Sequence, residues 1–290
     1  MVAGGRGGNG ELWLVKLDST GGVSWQKIYG RTSLATYEGA NSVVQTADGG
    51  YIVVGYAYYT SSAYDVWVLK LDSSGGVTWQ KRYGGTGNDY GHSVVQTTDG
   101  GYMVAAQTSS FGAGGSDVWL LKLDSTGRVS WQKTYGGSGN EHGYSVVQTS
   151  DGGYAVAGFT ASAGAGGYDV WVLKLDSSGA VTWQKAYGGS SDEYGRSVVQ
   201  TSDGGYVVTG RASSAGAGNA DVLVLKLDGT GGLAFNTSSG MSVTDTAVTP
   251  ADTTVTAAAT SAAVTDTAIT PADTTVTPAD TNATVTTLAP

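Results

Sequence analysis

There is no cysteine among the 290 residues. That excludes a disulfide framework, a cysteine-held zinc or iron–sulfur site, and a thiol nucleophile. Proline is nearly absent, with four residues, all beyond position 249. Charge is sparse: 13% of residues are charged, about half the usual ~25%. The two histidines, His92 and His142, leave little for a histidine-ligated metal. No apolar run approaches the ~18 residues needed to cross a bilayer. Basic residues are outnumbered, 15 to 24, and are scattered rather than patched, which argues against a duplex nucleic-acid partner. Glycine is plentiful at 47 residues, but does not fall at every third position, which excludes a collagen helix.

The composition changes near residue 241. No Lys or Arg follows Lys226, and residues 241–290 contain no aromatic side chain. This stretch repeats itself, with DTAVTPADTTVT at 245–256 and DTAITPADTTVT at 266–277. It has too little apolar area to offset backbone ordering, so residues 250–290 read as a low-complexity, extended tail or stalk. Five of the 24 acids lie beyond residue 240, and the body before it has a net charge of 15 − 19 = −4.

The body repeats. Trp13, Trp67, Trp119 and Trp171 form one series and Trp25, Trp79, Trp131 and Trp183 another, both spaced 54, 52 and 52 residues apart. Lys-Leu-Asp recurs with its lysine at 16, 70, 122, 174 and 226. Such a period means a propeller, solenoid or array. In one unit, Ser93–Thr97 is β-prone, Asp99-Gly100-Gly101 is a hairpin turn and Tyr102–Ala106 a second strand. Asp117–Asp124 is a third strand, Asp124–Gly127 a turn and Val129–Tyr135 a fourth strand. The third strand is apolar on both faces, so it must be covered on both sides. Four short antiparallel strands per unit describe a propeller blade. The expectation is an all-β propeller of five blades: about 1–29 plus 241–248, 41–83, 92–135, 144–187 and 196–236. In this scheme the first unit lacks its first strand, and Met241–Val248 supplies it and closes the ring. The alternative is a fragment of a longer propeller.

The string from Lys122 to Gly137, with Ser145–Tyr154, resembles the repeats of uncharacterised bacterial and archaeal secreted or cell-surface β-propeller proteins. The resemblance covers about residues 1–236 and implies an extracellular or surface location. A weaker similarity is to the tryptophan-docking repeats of quinoprotein-type propellers, which implies a docking role for the tryptophans and no cofactor.

Trp25, Trp79, Trp131 and Trp183 admit two readings, as sugar platforms or as docking residues between blades. Recurrence at one locus favours structural docking. The acids Glu38, Asp89, Glu141 and Glu193 precede each first strand, and Glu11, Asp65, Asp117, Asp169 and Asp221 start each third strand. Near-symmetric acids lack the differing environments that split catalytic pKa values, so turn and loop-capping roles are expected. No catalytic residue, metal ligand or cofactor site is assigned. The sharper signal is variation within a uniform repeat. Before Ser-Val-Val stands Asn41, His92, Tyr144 or Arg196. After the second strand stands Tyr56, Gln107, Phe159 or Arg211. After Trp-Gln-Lys stands Ile28, Arg82, Thr134 or Ala186. Aromatic, basic and amide groups suit recognition; drift at exposed sites is the plain alternative. The expected function is a non-catalytic, monomeric binding or adhesion module that recognises protein or glycan through one face, without nucleic acid or membrane insertion. The alternative is a carbohydrate-active hydrolase or lyase, or a quinone-dependent dehydrogenase.

Overall fold

In the computed structural model the described residues are 4–6, 12–30, 38–58, 63–214, 219–236, 242–245, 251–252 and 272–273. They form five antiparallel sheets and no helix. The first sheet holds β1 (Gly4–Arg6), β2 (Leu12–Leu17) and β3 (Val23–Tyr29). The second holds β4 (Glu38–Gln45), β5 (Tyr51–Tyr58), β6 (Tyr64–Leu71) and β7 (Val77–Tyr83). The third holds β8 (Asp89–Gln96), β9 (Tyr102–Thr108), β10 (Asp117–Leu123) and β11 (Val129–Tyr135). The fourth holds β12 (Glu141–Gln148), β13 (Tyr154–Thr160), β14 (Asp169–Leu175) and β15 (Val181–Gly188). The fifth holds β16 (Glu193–Gln200), β17 (Tyr206–Ala212), β18 (Asp221–Leu227) and β19 (Leu233–Asn236). Consecutive strands pair in each sheet, giving blades of a β-propeller.

Local chemistry sets each hairpin. Between β8 and β9 the chain closes with Thr97 N–H on the Gly101 carbonyl at 2.9 Å. Gly100 at φ +81° supplies the left-handed residue that a side chain resists. Asp99 Oδ1 accepts from the Gly101 N–H at 3.0 Å and holds the turn. The same turn recurs at Asp48, Asp151 and Asp203.

The core lies between sheets. Apolar clusters join the first sheet to the second, the second to the third, the third to the fourth and the fourth to the fifth. Hence β10 and β14 are buried along their whole length. The end sheets differ: β2 and β18 are only partly covered, and Val222 is 76% exposed. The first strands β4, β8, β12 and β16 stack one on the next, which makes them the innermost strands.

The expected closure is corrected. Ser242–Asp245 (β20) does not join the first sheet; it runs antiparallel to β15, with Lys185 opposite Asp245. The physical reason is the edge on offer. Strand addition asks only for an extended segment and an outer strand, and β15 offers eight residues of outer strand to β20. Among the described residues no strand pairing joins the first and fifth sheets. Two more short segments, β21 (Ala251–Asp252) and β22 (Ala272–Asp273), pair with β11 and β3. The remainder of 250–290, read from sequence as a stalk, lies outside the described residues.

Candidate binding face

The face is built by a backbone irregularity. In each complete blade the pairing of first and second strands slips once, between Ala40 and Ser42, Gly91 and Ser93, Gly143 and Ser145, and Gly195 and Ser197. The extra residues are Asn41, His92, Tyr144 and Arg196, one of the three variable slots. A β-bulge leaves its residue out of the ladder and re-aims it. A small partner makes room for the bulge: a Cβ on Gly158 would stand 1.7 Å from the His142 carbonyl oxygen. Opposite, two residues earlier, the second slot pairs with the first strand: Gly39 with Tyr56, Tyr90 with Gln107, His142 with Phe159, Tyr194 with Arg211.

These positions meet across blade boundaries. His92 lies 5.0 Å, centroid to centroid, from Tyr144 and 6.3 Å from His142. His142 lies 4.5 Å from Phe159 with its ring tilted by 38°, and Phe159 meets Tyr194 at 5.1 Å and Tyr168 at 4.8 Å. The Arg196 guanidinium sits 4.2 Å over Tyr144, and that of Arg211 4.7 Å over Tyr194. Such cation–π contacts leave the guanidinium N–H groups at the ring edge for other partners. Arg196 and Arg211 are both exposed. A second aromatic group, Tyr56, Tyr64, Tyr58 and Tyr90, has neighbouring rings 5.2 to 5.5 Å apart. His92 Nε2 is buried without a hydrogen-bond partner, and Asn41 Nδ2 donates to the Gly91 carbonyl of the next blade at 2.8 Å. Burial pushes both imidazoles down to about 4, so both are neutral at pH 7. Arg82 lies apart on the outer strand, opposite Trp67, where it donates to Asp65 at 2.9 Å.

Beneath this face the two acid series come together, which the sequence reading missed. A Cβ on Gly136 would stand 1.8 Å from Asp117 Oδ1 and 2.7 Å from Glu141 Oε2; Gly188 is set likewise between Asp169 and Glu193, and Gly84 between Asp65 and Asp89. Glu141 accepts from Thr160 Oγ1, Gly137 N–H and Ser162 N–H. Asp117 Oδ1 is buried without a partner. Burial, with the neighbouring Glu141 charge, pushes Asp117 up to about 6; burial, against the Arg82 charge, does so for Asp65. Among the described residues no group of three or more His, Cys, Asp or Glu is placed to hold a metal ion.

One pair has a catalytic look. Ser116 Oγ is 3.0 Å from His142 Nε2, and His142 Nδ1 is 3.2 Å from the Tyr144 hydroxyl. Three facts weigh against a nucleophile. The serine is only 5% exposed. Its hydroxyl also lies 3.2 Å from Asn140 Oδ1. The histidine is oriented by a phenol rather than a carboxylate, and its lowered pKa makes it a weak base.

The opposite end of the blades is uniform. Trp25, Trp79 and Trp183 donate through Nε1 to the carbonyls of Ser73, Ser125 and Gly229, each in the next blade's turn. Trp131 meets the next blade's Tyr154 edge-on at 6.1 Å. A cleft of about 450 Å³ opens there beside Trp131, Gln148 and Ser177. Its acids Asp99 and Asp151 are tied to Lys122 and Lys174 at 2.8 Å, so neither is free for acid–base work.

Missed by sequence reasoning were Tyr90, His142 and Tyr194 as a further variable slot, and the loop residues Tyr64 and Tyr168. The signal was present: His142 replaces a tyrosine of the neighbouring repeats. No protein-family model matches this chain, and no curated protein matches it either.

Proposed function

We propose that the chain is a non-catalytic binding module that engages a protein or glycan ligand through the face carrying His92, Tyr144, Phe159, Arg196 and Arg211. The observation that carries this reading is convergence. Residues that vary between otherwise matching repeats are lifted out of the ladder by bulges and meet the variable residues of neighbouring blades. Tyrosine, phenylalanine and arginine offer contact area and directional donors. The resemblance of the repeats to secreted or cell-surface propellers implies an extracellular or cell-surface setting, where adhesion ligands occur. The buried position of Ser116 and the weak basicity of His142 weigh against the hydrolase alternative.

The test is a glycan and protein array probed with the whole chain, followed by the triple substitution His92→Ala, Tyr144→Ala and Arg196→Ala. Loss of every hit with the fold retained supports the reading. Undiminished binding would refute it.

A further inference from the structure

We infer that the ligand of this face is an acidic glycan, and that Arg196 and Arg211 together grip a sugar carboxylate. The inference rests on the binding face proposed above and names its ligand class. Both arginines belong to the fifth sheet: Arg196 is the bulged residue of β16, and Arg211 on β17 pairs with Tyr194. Their guanidinium carbons stand 5.6 and 4.7 Å from the centroid of one ring, that of Tyr194, and Arg196 also sits 4.2 Å over Tyr144 of the fourth sheet. Two cations thus share one aromatic platform. Among the described residues neither is ion-paired, whereas Arg82 reaches Asp65 at 2.9 Å, and Lys70, Lys122, Lys174 and Lys226 each hold an aspartate. The local acids are spent on other groups. Asp192 accepts from the Tyr168 N–H at 3.1 Å and from the Tyr194 hydroxyl at 3.4 Å. Glu193 accepts from the N–H groups of Gly189 and Ser214 at 2.7 and 2.9 Å.

Two exposed cations without a counter-charge, in a chain of net charge −9, are complementary to an anion supplied from outside. The planar guanidinium fork matches a carboxylate through two parallel N–H bonds. Stacking on tyrosine sets the plane of each fork beforehand, so less side-chain freedom is lost when the anion arrives. The surroundings favour a sugar acid over an acidic peptide. Phe159 meets His142, Tyr144, Tyr168 and Tyr194. It is itself only 5% exposed, so it fills the centre of the cluster rather than opening a socket for the apolar anchors on which peptide recognition leans. Around it the rings of Tyr144, Tyr168 and Tyr194 are half-buried. Such amphipathic rings offer a flat apolar body to the C–H face of a sugar and a hydroxyl to its polar rim.

Titration of the full chain with oligomers of galacturonate, glucuronate and mannuronate, with their methyl esters and with polyglutamate tests this. A uronate oligomer binds, and its uncharged methyl ester binds about ten-fold or more weakly, as does polyglutamate. Arg196→Gln and Arg211→Gln each weaken uronate binding about ten-fold or more, with thermal unfolding near that of the wild type. Arg196→Lys, which keeps the charge and loses the fork, falls between wild type and Arg196→Gln. A second readout is His142, whose imidazole is held low by burial and by the His92 and Arg196 charges. A bound carboxylate offsets the Arg196 charge, so the imidazole titrates higher in the complex when followed by NMR. Four results overturn the inference: an ester that binds as well as its acid, polyglutamate that binds as tightly as the uronate, uronate binding indifferent to both arginines, or an imidazole that does not move. Absence of uronate binding, while an array ligand still depends on His92, Tyr144 and Arg196, overturns the ligand class alone. An array with no ligand dependent on those residues overturns the face itself.

Discussion

The two ends of the blades carry the same backbone and different chemistry. At the turn end every complete blade repeats itself. Lys70, Lys122, Lys174 and Lys226 reach Asp48, Asp99, Asp151 and Asp203 at 2.7 to 2.9 Å, and the tryptophans lock onto the next blade's turn. At the other end buried acids are constant, but the side chains above them change from blade to blade. The contrast separates two tasks. Packing between neighbours constrains one end to a single solution, because each blade must fit the next. The bulged positions at the other end are released from the ladder, so they change without disturbing it.

The largest effect is expected at the uniform end. Trp183 packs edge-on against Tyr206 at 5.7 Å and donates to the Gly229 carbonyl at 3.1 Å. Trp183→Ala is expected to cost about 3 kcal/mol through the cavity and the lost transfer energy. Chemical denaturation measures it; a loss below about 1 kcal/mol would mean that the tryptophan is not a dock and would erase the contrast between the ends.

A middle-sized effect sits under the variable face and depends on pH. Asp117 titrates at about 6 when folded and at 3.8 ordinarily. A raised folded pKa gives stability that is complete below the unfolded value and is lost as pH rises through the folded one. Between pH 4 and 6.5 the wild type therefore loses on the order of 2 kcal/mol relative to Asp117→Asn, whose amide stays neutral. His92 and His142 act with the opposite sign. Their folded values of about 4 make stability fall as pH drops from 6.5 towards 4. The two effects overlap in the wild type, so the difference between variant and parent is the quantity to follow. A melting-temperature difference that stays flat across this window removes the carboxylate pair from the account.

Much of the architecture was legible. Two tryptophan series, a 52-residue period and the Asp-Gly-Gly turns fix blades and hairpins, because each is a local demand: a left-handed residue, an apolar strand, a docking ring. Strand ends were less legible. β8 starts at Asp89 and not at Ser93, since the bulge at His92 hides the pairing that continues before it. The variable slots were visible as variation, but their meeting across blades depends on how far neighbouring sheets rotate, which no local pattern encodes. The partnership of Asp117 with Glu141 belongs to the same class, as it joins the third strand of one blade to the first strand of the next. The expectation that Met241–Val248 completes the first sheet fails at Asp245, which lies opposite Lys185 on β15. Strand addition needs only an extended segment and an outer strand, and β15 meets that need.

The smallest stability effect, and the sharpest test of the division between the ends, is expected at Arg196 and Arg211. Both are exposed, and each holds its guanidinium over a tyrosine, Tyr144 or Tyr194. Exposed contacts of this kind are worth about 0.5 to 1 kcal/mol each. Arg196→Ala and Arg211→Ala should therefore each move the denaturation midpoint by less than a third of the shift that Trp183→Ala causes. If the variable end is for recognition, the same two substitutions should weaken capture of an array hit about ten-fold or more, as truncated arginine anchors do. Trp183→Ala, assayed where it remains folded, should leave capture nearly unchanged. A reversal, with the arginines costing stability and the tryptophan costing binding, would move recognition to the cleft beside Trp131 and make the variable face the structural one.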